Sequence, residues 1–118
     1  MSTPEGIVKA KVRRLLAQYD GMYSYWPVPS GLGRTTVDVI GCFRGRFFCV
    51  ETKGEGKKPT LRQTQELSNV ELAMGAAFVI VGPEDPALDR LREWFDNLRD
   101  TIPNAPHITP DTVDRRVI

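Results

Sequence analysis

One stretch constrains this chain more than any other. From Gly33 to Lys53 it reads GRTTVDVIGCFRGRFFCVETK, two runs of strand-type residues, Thr36–Phe43 and Arg46–Lys53, meeting at Arg44-Gly45. Glycine supplies the positive φ that a two-residue hairpin turn requires, so the two runs are predicted to pair antiparallel. Centring the turn there sets the register: Phe43 opposite Arg46, Cys42 opposite Phe47, Ile40 opposite Cys49, Val39 opposite Val50, and Asp38 opposite Glu51. Directly opposed side chains lie roughly 4.5–5.5 Å apart at Cβ, where like charges repel. Lys53 shares the face of Glu51, because side chains alternate along a strand. Both faces are otherwise apolar, with Ile40, Cys42, Phe47 and Cys49 on one and Val37, Val39, Phe48 and Val50 on the other. Strands apolar on both faces predict a central sheet covered on both sides. Two carboxylates against one lysine at the end of such a hairpin call for a further cation, a metal ion, unless the triad is a purely structural ion-pair cluster.

A chain of 118 residues is a single-domain length, long enough for one core without disulfide staples. The net charge of +1 argues against coating nucleic acid by bulk charge, yet leaves room for a basic rim around an acidic site. Cys42 and Cys49 are not opposed in the hairpin, and no other cysteine exists, so both are expected as buried free thiols in a reducing compartment. The start, MSTPEGIVKAKVRR, lacks an apolar leader core, and no run reaches membrane-spanning length. A soluble, cytoplasmic protein is expected.

Around the hairpin the elements follow in order. Ser2-Thr3-Pro4-Glu5 is a helix start, and a helix is predicted from Pro4 to Tyr19 with the stripe Val8, Val12, Leu15, Leu16 and Tyr19. Stepping back three residues from Val8 puts Glu5 on the core-facing side, away from Lys9, Lys11, Arg13 and Arg14, which are expected in solvent. There Glu5 serves either the helix dipole or a site at the sheet. Met22–Val28 reads as a short strand ended by Pro27 and Pro29. In the loop that follows, GLGRT resembles the end of a phosphate-binding loop, but Val28 and Arg34 stand where Gly and Lys belong. After the polar turn GEGKKP, Thr60 and Gln63 form a capping box opening a helix with the stripe Leu67, Val70 and Met74, which Gly75 ends. Ala76–Val81 is an apolar strand, predicted parallel to Arg46–Lys53 as the second strand of a βαβ unit. Asp85-Pro86 caps a last helix over Pro86–Asp100, striped by Leu88, Leu91, Phe95 and Leu98. Residues 1–100 are thus one domain, and 101–118 a tail punctuated by Pro103, Pro106 and Pro110.

The order α-β-β-β-α-β-α, with Asp38, twelve intervening residues and then Glu51-Thr52-Lys53, resembles the PD-(D/E)xK nuclease superfamily. More closely, TPE near the start, the block from Gly33 to Gly54, and PTLRQ followed by a helix and Gly75 are similar to the small stand-alone VRR-NUC nucleases, over about Thr3 to Val81. The family's frequent proline before the strand acid is here Val37. The resemblance implies an α/β, three-layer restriction-endonuclease-like fold with a central mixed sheet flanked by helices. It implies Asp38 and Glu51 as ligands of Mg²⁺ or Mn²⁺, the Thr52 carbonyl as a third, and Glu5 as a candidate fourth. It makes Lys53 the catalytic lysine, with Gln63 as the motif glutamine. It further implies a metal-dependent endonuclease acting on structured or branched DNA, resolvase-like and as a homodimer, without an organic cofactor or a membrane partner. Arg34, Lys57, Lys58 and Arg62 would then hold backbone phosphates. A non-catalytic nucleic-acid-binding module that keeps the fold is the alternative. The only histidine, His107, lies in the tail, so no histidine-based metal or serine site can be built at the hairpin.

Overall fold

A computed structural model describes residues 3–28 and 37–106 of the chain. Seven elements run α1 (Pro4–Leu16), β1 (Tyr23–Tyr25), β2 (Val39–Phe43), β3 (Arg46–Lys53), α2 (Leu61–Leu72), β4 (Ala76–Val81) and α3 (Ala87–Thr101). The four strands form one mixed sheet in the order β1-β2-β3-β4, antiparallel except for the parallel β3–β4 pair that the α2 crossover joins. With α1 and α3 packed on one face and α2 on the other, the molecule has three α/β layers. Ser2, residues 29–36, His107 and Pro110 lie outside the described residues.

The hairpin keeps the expected register from Phe43 opposite Arg46 to Val39 opposite Val50. Both turn residues are left-handed, Arg44 at φ 52° and Gly45 at φ 80°, the pairing whose twist matches that of the flanking strands. On the neighbouring edge, Gly41 admits close neighbours: a Cβ there would lie 2.5 Å from the Tyr23 carbonyl oxygen and 2.6 Å from the Phe48 ring.

The two faces are unequal. Toward α1 and α3, Val39, Phe43, Phe48, Val50 and Ile80 join Val8, Val12, Leu15, Leu91 and Phe95 in one large core. Edge-to-face contacts at 5.1 to 5.7 Å tie Phe95 to Phe48 and Phe43, a geometry that aligns ring edges with ring faces. Toward α2 the buried set among the described residues is Val37, Cys49, Leu67 and Val70.

Several expectations need correction. Because α2 lies over β3 and β4, the tip of the hairpin is left uncovered on its side, so Phe47 is exposed and Cys42 only half-buried; Cys49 alone is a buried thiol. Val37 packs with Cys49 and Leu67 rather than with Val39, since it precedes the ladder and strand alternation does not reach it. Helix α1 ends at Leu16, and Tyr19 enters the core from the following turn, where its hydroxyl donates to Asp96 at 2.6 Å. Met74 is not on the stripe of α2: it takes the left-handed position, φ 70°, just past the helix and is 92% exposed. The strand Met22–Val28 contracts to Tyr23–Tyr25. Helix α3 begins at Ala87, with Pro86 at the N-cap; the Asp85 carboxylate before it accepts from Ala87 N–H at 2.9 Å and from Val81 N–H at 2.7 Å, fastening helix to strand.

Candidate functional site

The β2–β3 ladder stops at Val39–Val50, and beyond it the two strands are held by side chains. Asp38 Oδ2 accepts the Thr52 backbone N–H at 2.8 Å and, in a short bond, the Thr52 hydroxyl. In return, Glu51 Oε1 accepts the Asp38 N–H at 3.1 Å. Each carboxylate therefore replaces a missing backbone acceptor of the other strand. This is a reciprocal lock, and it differs from the bare opposition of two acids that an extended ladder predicts.

The lock gives each acid one committed oxygen and one free for a cation. Asp38 Oδ1 faces Lys9 Nζ at 3.4 Å, and Glu51 Oε2 faces Lys53 Nζ at 3.2 Å. Lys53 Nζ also lies 3.8 Å from Glu5 Oε1, so α1 contributes an acid and a base to this end of the sheet. Gly54 makes the approach of α1 close, with Pro4 Cβ 3.2 Å from where a Cβ would sit. Glu51 is 1% exposed, and burial, then the Asp38 charge, push its carboxyl up to about 7, against the pull of Lys53 and of the Asp38 N–H. Lys53 is the one ammonium group paired with Glu51, while Lys9 pairs with Asp38.

Of the residues singled out from sequence, Asp38, Glu51, Thr52, Lys53 and Glu5 come together here. Thr52 offers more than its carbonyl. Its N–H and hydroxyl orient Asp38, and its backbone groups face the β2 side, since the next carbonyl, that of Lys53, accepts the Gly82 N–H on the β4 side. Glu5 is joined to the carboxylate pair through Lys53 rather than directly. Gln63 is engaged at the start of α2, its side-chain oxygen accepting the Thr60 N–H at 3.0 Å while its own N–H donates to the Thr60 hydroxyl at 3.2 Å. Lys57, Lys58 and Arg62 are exposed on the segment that follows Lys53, and Arg34 lies outside the described residues.

Lys9 is the member that sequence reasoning missed, having been assigned to solvent with its neighbours. The signal was present: it stands four residues after Glu5 and three before Val12, on the same side of α1. Lys11 is not free either, donating to the Pro83 carbonyl at 3.0 Å, and Arg13 stacks 3.9 Å over the Trp26 ring.

Two carboxylate oxygens turned toward cations are hard donors that suit a small divalent ion. Among the described residues no group of three or more His, Cys, Asp or Glu side chains is placed to hold a metal ion. Asp38 and Glu51, with the Thr52 carbonyl, are the groups that could hold such an ion. Compared with protein-family models and with curated protein sequences, the chain matches neither a family model nor a curated protein.

Proposed function

We propose that the chain is a Mg²⁺- or Mn²⁺-dependent endonuclease of the PD-(D/E)xK class, hydrolysing phosphodiester bonds in structured or branched DNA in the cytoplasm. The fold would be the restriction-endonuclease-like one, and the resemblance to VRR-NUC nucleases names the subgroup. One observation carries the reading: each locked carboxylate keeps one oxygen turned to a cation, and the two lie together at the end of central strand β3.

In this reading Asp38, Glu51 and the Thr52 carbonyl hold the ion. The chemistry such an ion would supply there is polarisation of the phosphate and a more acidic bound water. Lys53, fixed by Glu51 and Glu5, keeps an ammonium group where it can orient the attacking water or offset charge growing on the phosphate. Lys57, Lys58, Arg62 and Arg34 contact neighbouring phosphates, which positions DNA without reading its sequence. The exposed Tyr23 and Tyr25 on edge strand β1 offer a surface for a homodimer.

A second reading, a DNA-binding module without catalysis, is favoured by the ammonium partner that each free carboxylate oxygen already has. Cleavage of single-stranded, duplex, flap and four-way DNA with Mg²⁺ or Mn²⁺ separates the two. The wild type should cut, and Asp38→Asn and Lys53→Met should each slow cutting by roughly 100-fold or more. Wild-type rates in both variants would remove these residues from the site. Salt-sensitive binding with no cutting under any cation would establish the second reading.

A further inference from the structure

Helix α1 carries opposite charges one turn apart on its sheet-facing side, Glu5 and Lys9, and they reach different partners. Glu5 joins Lys53, whereas Lys9 Nζ sits 3.4 Å from Asp38 Oδ1. Asp38 Oδ2 is committed to both donors of Thr52. Oδ1 is therefore the oxygen through which Asp38 can meet a metal ion, and Lys9 holds it.

The two lysines of the cluster differ in how easily they can leave. Lys53 has a side chain 14% exposed and bridges two acids, Glu51 and Glu5, so moving it strands both. Lys9 is 36% exposed and, among the described residues, pairs with Asp38 alone. Its departure strands one carboxylate, which the incoming ion takes over, and its own charge is already near water. The flexible four-carbon stem allows the swing.

We infer that Lys9 is a positioning residue, an exchangeable counter-ion: it holds Asp38 Oδ1 in the metal-free protein, yields that oxygen to a divalent cation, and turns to a backbone phosphate of bound DNA. This rests on the nuclease reading above. Charge supports it. With Glu51 ionised, as ligation of a metal requires, three carboxylates and two ammonium groups carry one negative charge, and one divalent ion with one phosphodiester brings the cluster to neutrality only if Lys9 stays charged and close.

The test is a calorimetric titration of Mn²⁺, without DNA, into the wild type, Lys9→Met, Lys9→Gln, Lys9→Arg and Asp38→Asn. With the competing ammonium gone, Lys9→Met and Lys9→Gln should bind Mn²⁺ about threefold to tenfold more tightly. Lys9→Arg should stay close to wild type, and Asp38→Asn should abolish binding. A merely structural Lys9 predicts the opposite sign, looser binding as the site loses order. Displacement itself is read by acylating lysines and quantifying each by mass spectrometry: saturating Mg²⁺ should speed modification of Lys9 several-fold and leave Lys57 and Lys58 unchanged. With non-cleaving Ca²⁺ present, Lys9→Met should lower the slope of DNA affinity against salt by about 1. If Mn²⁺ binding depends on Asp38 but Lys9→Met and Lys9→Gln bind no more tightly than wild type, or Mg²⁺ leaves Lys9 acylation unchanged, the exchange is overturned and the nuclease reading survives. If the wild type binds no Mn²⁺ that Asp38→Asn removes, both fall.

Discussion

The two ends of the β2–β3 hairpin are closed by different means, and the contrast separates fold from site. At the tip, closure is backbone: Arg44 and Gly45 take left-handed conformations, and the Arg44 guanidinium donates to the neutral Ile102 carbonyl and lies 5.0 Å from the Phe43 ring. At the open end, closure is by acidic side chains, with Glu51 accepting the Asp38 N–H and Asp38 the Thr52 N–H, beside Lys9, Lys53 and Glu5. A hairpin can end on water or on a bulge at little cost. Ending it on a carboxylate that is 1% exposed demands compensating charge, and that demand is what makes this end chemically useful.

Substitutions that unbalance one end at a time sharpen the contrast. The largest effect is expected from Lys53→Met, which leaves Glu51 buried beside Asp38 without its ammonium partner. Urea denaturation should show a loss of about 3 kcal/mol, part of it recovered by Mn²⁺ as ligand binding stabilises the folded state. A loss of a few tenths would mean that the burial of Glu51 does not lean on Lys53. Next comes Thr52→Val, close in shape but without the hydroxyl that Asp38 accepts. We expect a cost of about 2 kcal/mol and weaker Mn²⁺ binding, because the Thr52 N–H alone then orients Asp38. Unchanged Mn²⁺ affinity would show that one donor suffices. The smallest belongs to the tip. Gly45→Ala has open space around its Cβ but φ of 80°, so the cost is backbone strain of about 1 kcal/mol, with no change in Mn²⁺ affinity. An altered affinity there would mean that the two ends are coupled through the strands.

The tip was legible from sequence because a two-residue turn leaves one register, and every pair from Phe43–Arg46 to Val39–Val50 follows from it. The capping box of Thr60 and Gln63 was equally local, needing only a spacing of three. Where pairing stops is not a local property. Asp38 and Glu51 can end the ladder only because Thr52 supplies two donors and α1 arrives with Lys9, a residue remote from the hairpin in sequence. Phe47 was misjudged for a related reason. Apolar alternation says that a face can be buried, whereas the position of α2 over β3 and β4 decides how much of it is.

Gly41 has a bearing on mutational tolerance. Any side chain at that position must either push the Phe48 ring away from Phe95 or part β1 from β2, because the Tyr23 carbonyl and the ring both stand where a Cβ would be. Larger residues have no rotamer that avoids this, since the conflict begins at the first carbon. The exposed helix faces can drift through many substitutions, whereas a single codon in the middle of β2 admits almost none.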